Sequence, residues 1–372
     1  MDNQKNSPKD IVREIFERPK QATDKVSALF THFKQSAQPE VISEPSSQSL
    51  AKSFPAAIDI GTSSIKLLQL AENSKGQIEV IALDRQEYTT QAYQDLITCQ
   101  KQALKKIVER NKVGPNVVTG LGSKEIQAFN LTFPLMAGQE LKEAIHWKLT
   151  QLKPFNLAVE EIEYDFINWG DSANIPKTAQ LKLLVICAPK SVVLQRLDLL
   201  ASAGLNAVEL GVTSVSLVNL YKFKAFPSAK GQAAIWFDLG AGESSLAVGK
   251  NGFIYFLRNY SLTSQNITQQ ISNNCQMSEK DAESAKCRFG LDFWHPDKET
   301  ELFLKQEKVP LKNEDKPAAV FYGIVSLLEN LVVDIENSFK YFSYQVSQSQ
   351  VTQFDKIILS GGGATLKIWN IS

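Results

Sequence analysis

The chain has 372 residues, 43% apolar and 22% charged, with 40 Lys plus Arg against 40 Asp plus Glu. That length exceeds one compact core and predicts two domains or more, while the composition is ordinary for a globular protein. Overall neutrality removes the broad basic footprint of nonspecific nucleic-acid binding, so no nucleic-acid partner is expected and any anionic ligand must be held by local geometry. The four cysteines (Cys99, Cys187, Cys275 and Cys287) form no CxxC pair, and no histidine stands at metal-ligand spacing, which argues against structural zinc. No apolar run approaches the roughly 20 residues that span a bilayer, and the N-terminus lacks the apolar core of a signal peptide. A cytoplasmic protein with reduced thiols is expected.

Residues 1–53, rich in Gln, Ser, Pro, Lys and Glu, read as a disordered or partly helical tail. Its apolar positions Ile11, Val12, Ile15, Phe16, Val26, Leu29, Phe30 and Phe33 have amphipathic spacing, which Pro19 interrupts. Ordered structure is expected from Phe54. Ala57–Ile60, Ile65–Leu70 and Gln77–Leu83 read as three strands, followed by a helix over Leu96–Val108. Strands are predicted at Asn116–Leu121, Gln127–Phe133 and Ile162–Trp169, with a helix carrying Leu141, Ala144, Ile145 and Leu149 before the last of these. Leu181–Cys187 reads as a strand buried on both faces, and Ser191–Ala203 as a helix stopped by Gly204. A helix over Thr213–Phe223 precedes a break at Pro227, Ser228 and Gly231.

Then the opening pattern returns. Ala234–Leu239 and Ser245–Val248 are predicted strands around the turn GAGE, with Gly252–Leu257 as the third. Helices follow from near Ser264, from near Ser278 and from Ala319 to Tyr344, and a last strand, Lys356–Leu359, enters three glycines. The hairpins IDIGTSSIKLL (Ile58–Leu68) and FDLGAGESSLAV (Phe237–Val248) each place apolar-Asp-apolar-Gly at a strand end. Two such hairpins opening successive halves are a much stronger signal than one.

The chemistry they suggest is phosphate binding. Gly61, Gly240 and Gly242 let the backbone approach an anion and turn N–H groups inward. Thr62, Ser63 and Ser64 add hydroxyl donors and Lys66 a point charge. Asp59 and Asp238, facing each other across a cleft, suit a hydrated Mg²⁺, which needs only one or two carboxylates besides phosphate oxygens. Gly361, Gly362 and Gly363 would lie flat against an adenosine. Glu283 and Lys286, three apart on one helical face, could hold ribose and adenine, or form a solvated surface ion pair. GLGSKE at Gly120–Glu125 matches no phosphate-loop pattern and reads as a turn between strands.

In this order, DIGTSSIK, DLGAGESSLAV, AESAK and SGGGA resemble the phosphate-1, phosphate-2 and adenosine motifs of the actin/heat-shock chaperone/sugar kinase superfamily. Within it the chain resembles the type IV pilus assembly protein PilM family, a relative of FtsA. The segments LTFPLMAGQELKEAIHWKLTQLKPFNLAVEEIEYDF and VICAPKSVVLQRLDLLASAGL carry that closer likeness. The resemblance implies an α/β, actin-like ATPase fold of two similar halves with a nucleotide cleft between them. The first half (54–228) would hold subdomain 1A with an FtsA-like 1C insertion at about 122–174, and the second (229–372) subdomains 2A and 2B.

It further implies ATP and Mg²⁺ as ligands of the motif residues, and a groove between 1A and 1C that grips the N-terminal tail of the inner-membrane protein PilN. The protein would then sit at the cytoplasmic face of the inner membrane, linked to other pilus and motor components, with self-association as a further expectation. Only Glu209, in VELGVTS, is a candidate for orienting an attacking water, so slow or absent ATP hydrolysis is expected. The chain ends where the family continues with a further helix, which reads as a truncation. Two alternatives remain at this point: a small-molecule kinase of the same fold, and an FtsA-like membrane-anchored filament protein.

Overall fold

The computed structural model describes residues 50–88, 95–136, 138–168, 180–223, 233–250, 253–290, 316–342, 344 and 354–366. The amphipathic stretch of the tail, the break at Pro227–Gly231, the end of the 1C segment and everything after Leu366 lie outside them. The chain divides into two compact units, 1–229 with 250–256 and 230–249 with 257–372.

The first unit contains two sheets. Strands β1 (Leu50–Ser53), β2 (Ala56–Ile60), β3 (Ser64–Asn73), β4 (Ile78–Glu87), β5 (Asn116–Leu121) and β9 (Asn206–Val212) make the larger one, in the order β1-β3-β2-β5-β9 with β4 on β3. β2, β5 and β9 run parallel, while β2–β3 and β3–β4 are antiparallel hairpins. Period-2 alternation sends Ile58 and Ile60 of β2 to one face, where they meet Leu104 and Ile107 of helix α1 (Leu96–Asn111). Leu199 and Leu200 of helix α3 (Lys190–Ala201) close the same core. Truncating fully buried Leu104 or Ile107 to Ala is worth about 2–5 kcal/mol by cavity formation. Asp95 caps α1 by accepting from the Thr98 N–H, and Gly204, at φ +75, ends the turn after α3 as expected for a left-handed stop.

The smaller sheet joins β6 (Gln127–Pro134), β8 (Gln180–Pro189) and β7 (Ile162–Asn168), in the order β6-β8-β7. Helix α2 (Gly138–Leu152) lays Leu141, Ile145 and Leu149, spaced i, i+4, i+8, on Leu131, Phe133, Leu183 and Val185. After β9 comes helix α4 (Thr213–Phe223).

β10 (Ala233–Leu239), β11 (Ser244–Lys250), β12 (Phe253–Tyr260) and β13 (Phe354–Ser360) form a third sheet, ordered β12-β11-β10-β13, most of whose residues are in the second unit. β10 and β13 are parallel, with Asp238 beside Ser360. Helices α5 (Ser264–Cys275), α6 (Glu279–Phe289) and α7 (Lys316–Tyr341) complete it. The Tyr260 hydroxyl donates to Ser338 on α7 at 2.6 Å, and the Phe237 and Tyr260 rings meet edge to face.

Two elements differ from the sequence reading. β1 lies inside the stretch read as tail; LAKS lacks apolar alternation, and backbone pairing with Ala71–Asn73 is what makes it a strand. β9 went unread because Glu209 and Gly211 break the apolar pattern of an exposed edge strand. Of Gly120–Glu125, read as a turn between strands, Gly120 and Leu121 end β5, and a short 3₁₀ turn at Ser123–Glu125 joins β5 to β6.

Candidate functional site

Both Asp-Gly turns are two-residue hairpin loops. The Gly61 N–H donates to Ser64 O at 3.1 Å across Thr62-Ser63, and the Gly240 N–H donates to Glu243 O at 2.9 Å across Ala241-Gly242. None of the four loop residues has positive φ, so neither is a primed turn or a nest built on a left-handed residue. The glycines serve close approach instead: a Cβ on Gly240 would stand 2.6 Å from Glu243 O, and one on Gly61 3.1 Å from Ser64 O.

What aims the donors is the grip on the carbonyls. Gly61 O accepts from the Tyr88 hydroxyl and from Gln100 Nε2 at 3.1 Å, and Ser63 O accepts from the Tyr88 N–H at 3.0 Å. Burial pushes the Tyr88 phenol above its ordinary pKa, so it stays protonated and donating. In the second turn the Ser264 and Gln265 N–H groups, at the start of α5, donate to Gly240 O and Ala241 O at 2.9 and 3.0 Å. These are N–H groups that a helix start otherwise leaves unsatisfied. Each peptide is trans and planar, so a carbonyl pinned one way points the next residue's N–H the opposite way. The N–H groups of Thr62, Ala241 and Gly242 are thus turned away from their backing, and none meets a protein acceptor among the described residues.

The carboxylates are held differently. Asp59 pairs across β2–β3 with Lys66, Nζ to Oδ2 at 2.6 Å, both side chains about half exposed. Asp238 Oδ1 accepts from Ser360 Oγ at 2.7 Å. The glycines of Gly361–Gly363 first serve the protein itself. A Cβ on Gly361 (φ +83) would lie 2.4 Å from Leu239 O, and one on Gly363 2.3 Å from Leu239 Cγ; Gly362 alone faces open space.

Lys286 is neither solvated nor free. Its side chain is 4% exposed, and Nζ donates to Glu283 Oε2 (2.6 Å), Ser264 Oγ (2.8 Å), Thr268 Oγ1 (2.8 Å) and Ser264 O (3.2 Å). Burial alone would push the Glu283 carboxyl up, but bonds from Lys286 and Thr268 outweigh it and hold the pKa below the usual range. The Glu283 side chain is 52% exposed.

Glu209 is exposed on β9, level with Val118 of β5 and, through it, Ala57 of β2. That is three residues before Ile60, about 10 Å back along the strand from the turn. One step beyond the Ile58–Thr119–Leu210 row, level with Asp59, β9 carries Gly211, so the structure does not bring Glu209 to the Gly61 turn.

A second feature was absent from the sequence reading in residue terms. A cavity of about 630 Å³ separates the two sheets of the first unit, lined among others by Leu121, Ile126, Phe166, Leu194, Leu197 and Val212. Consecutive residues Glu163–Ile167 line it, as when a free strand edge fronts a groove, and β7 pairs only with β8 among the described residues. On the same helix as Leu194 and Leu197, Arg196 is bidentate to Glu125 at 2.8 and 2.9 Å and bonded to Gly120 O. No group of three or more His, Cys, Asp or Glu side chains among the described residues could hold a metal by itself.

The family of the type IV pilus assembly protein PilM matches residues 57–296. Among solved structures the chain is similar to one described as the PilM-PilN type IV pilus biogenesis complex: 20% identity, 84% of this chain and 82% of that one, TM-score 0.66. It also resembles ethanolamine utilization protein EutJ from Carboxydothermus hydrogenoformans (11% identity, 94% and 87% covered, TM-score 0.45). A third match is MreB 5 of Spiroplasma citri bound to AMPPNP (14% identity, 87% of each chain, TM-score 0.40). The fold is the actin-like ATPase fold. With the family match spanning well over half of its length, the chain belongs to the type IV pilus assembly protein PilM family.

Proposed function

We propose that this chain is an ATP-binding cytoplasmic scaffold of the type IV pilus machine that holds the N-terminal tail of a PilN-like inner-membrane protein. The observation that carries the reading is the groove between the two sheets of the first unit. Its β7 edge, unpaired among the described residues, offers main-chain hydrogen bonds to an extended peptide, and its walls offer apolar pockets for alternate side chains. Leu194, on the groove wall, is 59% exposed, which is costly for a leucine unless something covers it. The similar PilM-PilN structure supports the choice of occupant. No helix among the described residues is long and apolar enough to cross a membrane. The place at the inner membrane is read as coming through partners, motor components included.

Each turn, within its own unit, offers donors suited to a nucleotide phosphate. Thr62, Ala241 and Gly242 present N–H donors that meet no acceptor among the described residues, and the hydroxyls of Thr62, Ser63 and Ser64 with the half-exposed Lys66 ammonium add to them. Asp59 and Asp238 suit a hydrated Mg²⁺, which would neutralise phosphate charge. Half-exposed Glu283 takes ribose hydroxyls, and Gly361–Gly363, chiefly Gly362, lies along the nucleoside. With no carboxylate at the Asp59 level of β9, hydrolysis is slow or absent, and Glu209→Gln leaves phosphate release unchanged.

Titration of a synthetic PilN tail peptide into this chain and into Leu194→Glu tests the groove, with Mg-ATP titrated into the chain and Asp59→Ala in parallel. Expected are saturable peptide binding weakened at least about tenfold by a buried unpaired charge, and ATP binding lost in Asp59→Ala. Peptide affinity indifferent to Leu194→Glu would sink the groove reading.

A further inference from the structure

We propose that Lys286 is a positioning residue: its buried ammonium clamps the first turn of α5, and through it the Ala241–Gly242 loop, so that it controls phosphate affinity without touching the nucleoside. The proposal rests on the reading that this loop takes phosphate.

The argument begins with donor arithmetic. A lysine ammonium carries three N–H donors and no acceptor. Lys286 has four acceptors within 3.2 Å, all from the protein, and is buried, so nothing remains for a ribose or a base. Three of the four belong to α5: both oxygens of Ser264 and the hydroxyl of Thr268. Thr268 Oγ1 in turn donates to Ser264 O and meets Glu283, so α5 and α6 are tied by one closed network.

What the network holds is the helix start. Ser264 follows the N-cap Thr263, whose hydroxyl accepts from the Asn266 N–H. The Ser264 and Gln265 N–H groups are those that pin Gly240 O and Ala241 O. Planarity of the 240–241 and 241–242 peptides then fixes where the Ala241 and Gly242 N–H groups point. A shift of Ser264 by a few tenths of an ångström passes directly to those donors, because one hydrogen bond separates them. Lys286 therefore acts two hydrogen bonds away from the loop whose N–H groups would meet the phosphate.

This assigns different work to Glu283 and Lys286. Glu283 keeps an exposed carboxylate face and can meet a ligand; Lys286 cannot. The Lys66 ammonium of the first hairpin is the contrasting case, 55% exposed with one carboxylate partner.

The experiment compares the chain with Lys286→Met, Lys286→Arg and Thr268→Val, the last a near-isosteric change that removes only the hydroxyl, with circular dichroism checking that each variant is folded. Mg-ATP and adenosine are titrated into each, and amide hydrogen exchange of residues 240–245 and 263–268 is followed without ligand. Expected for Lys286→Met is roughly a tenfold loss or more for ATP, the scale of a lost charged hydrogen bond. Adenosine, which feels Lys286 only through its bond to the Glu283 carboxylate, should lose clearly less affinity than ATP, and exchange in both segments is faster. Thr268→Val should show the same pattern at a few-fold. A loss shared equally by adenosine would place the effect on the nucleoside and overturn the proposal. Unchanged exchange in Lys286→Met and Thr268→Val would overturn it as well. If the unaltered chain binds no ATP, the nucleotide reading fails while the exchange result still decides whether Lys286 holds the loop.

Discussion

The two Asp-Gly hairpins share a sequence pattern and a loop length, yet they are held from behind by different means. Side chains, Tyr88 from the end of β4 and Gln100 from α1, grip the Gly61 turn. The Gly240 turn is gripped by backbone, the start of α5, which Lys286 steadies. Their acids differ too: seven residues after Asp59 stands Lys66, and seven after Asp238 stands buried Ser245, so the second hairpin carries no cation of its own at that position. The lesson is that the motif encodes the loop, while its surroundings encode the aim of its donors.

The sharpest way to break the comparison is to add one methyl group to each turn. A Cβ on Gly240 meets backbone at 2.6 Å, which something must move to admit, whereas on Gly61 the contact is 3.1 Å. Gly240→Ala should destabilise by about 1–3 kcal/mol, the range for overpacking, and abolish ATP binding. Gly61→Ala should cost less and retain weakened binding. Gly361→Ala goes further still, adding a conformation that is essentially glycine-only, worth about 1–3 kcal/mol, to a 2.4 Å clash with Leu239 O. Thermal unfolding and ATP titration of the three variants give the ranking; a Gly61→Ala as damaging as Gly240→Ala would erase the distinction.

The middle-sized effect concerns the backing. Tyr88→Phe removes one of two donors to Gly61 O, and a single neutral hydrogen bond is worth about 1 kcal/mol, so ATP affinity should fall a few-fold. Because Gln100 holds the same carbonyl, the double variant Tyr88→Phe/Gln100→Leu should lose more than the product of the two single losses. Nothing comparable is expected in the second turn, and strict additivity would show that the two side chains do not share one carbonyl.

How much of this the sequence discloses follows from separation along the chain. Asp59, Gly61 and Lys66 lie within eight positions, and Asp238 to Gly242 within five, so a local pattern reveals both loops and the hairpins around them. Tyr88 and Gln100 reach Gly61 across 27 and 39 positions, and Ser360 reaches Asp238 across 122. No periodicity announces such contacts. The glycines at Gly361 and Gly363 read as room for a ligand, and the structure spends that room on Leu239. Lys286 and Glu283 share a helical face as read, but burial of the lysine depends on α5, which lies outside the motif. The groove was expected from resemblance alone; its walls come from six separate helices and strands, so no stretch of sequence spells it.

The smallest effect is one of pH and salt, and it again sets the two units against each other. Hydrogen bonds from Arg110 and Asn111 hold the Asp84 carboxyl below its ordinary value. Glu283 is also held below its ordinary value, with burial opposing and Lys286 and Thr268 prevailing. For a lowered carboxylate the stabilisation is present above the unfolded value, 3.8 for Asp84 and 4.5 for Glu283, and is lost as pH falls through the lower folded value. Both groups should therefore contribute at neutral pH and fade below about pH 4. They part in salt. The Asp84 partner Arg110 is half exposed, so 1 M salt should screen most of that pair's share, whereas the buried Lys286 ammonium shields the Glu283 bond from added ions. Melting curves of Asp84→Asn and Glu283→Gln against the unaltered chain, at pH 7 and pH 3 in low and high salt, read both at once. Salt should shrink the Asp84→Asn difference and spare the Glu283→Gln difference. Equal shrinkage would mean that water reaches Lys286, and with it the premise that its ammonium is reserved for α5 would fall.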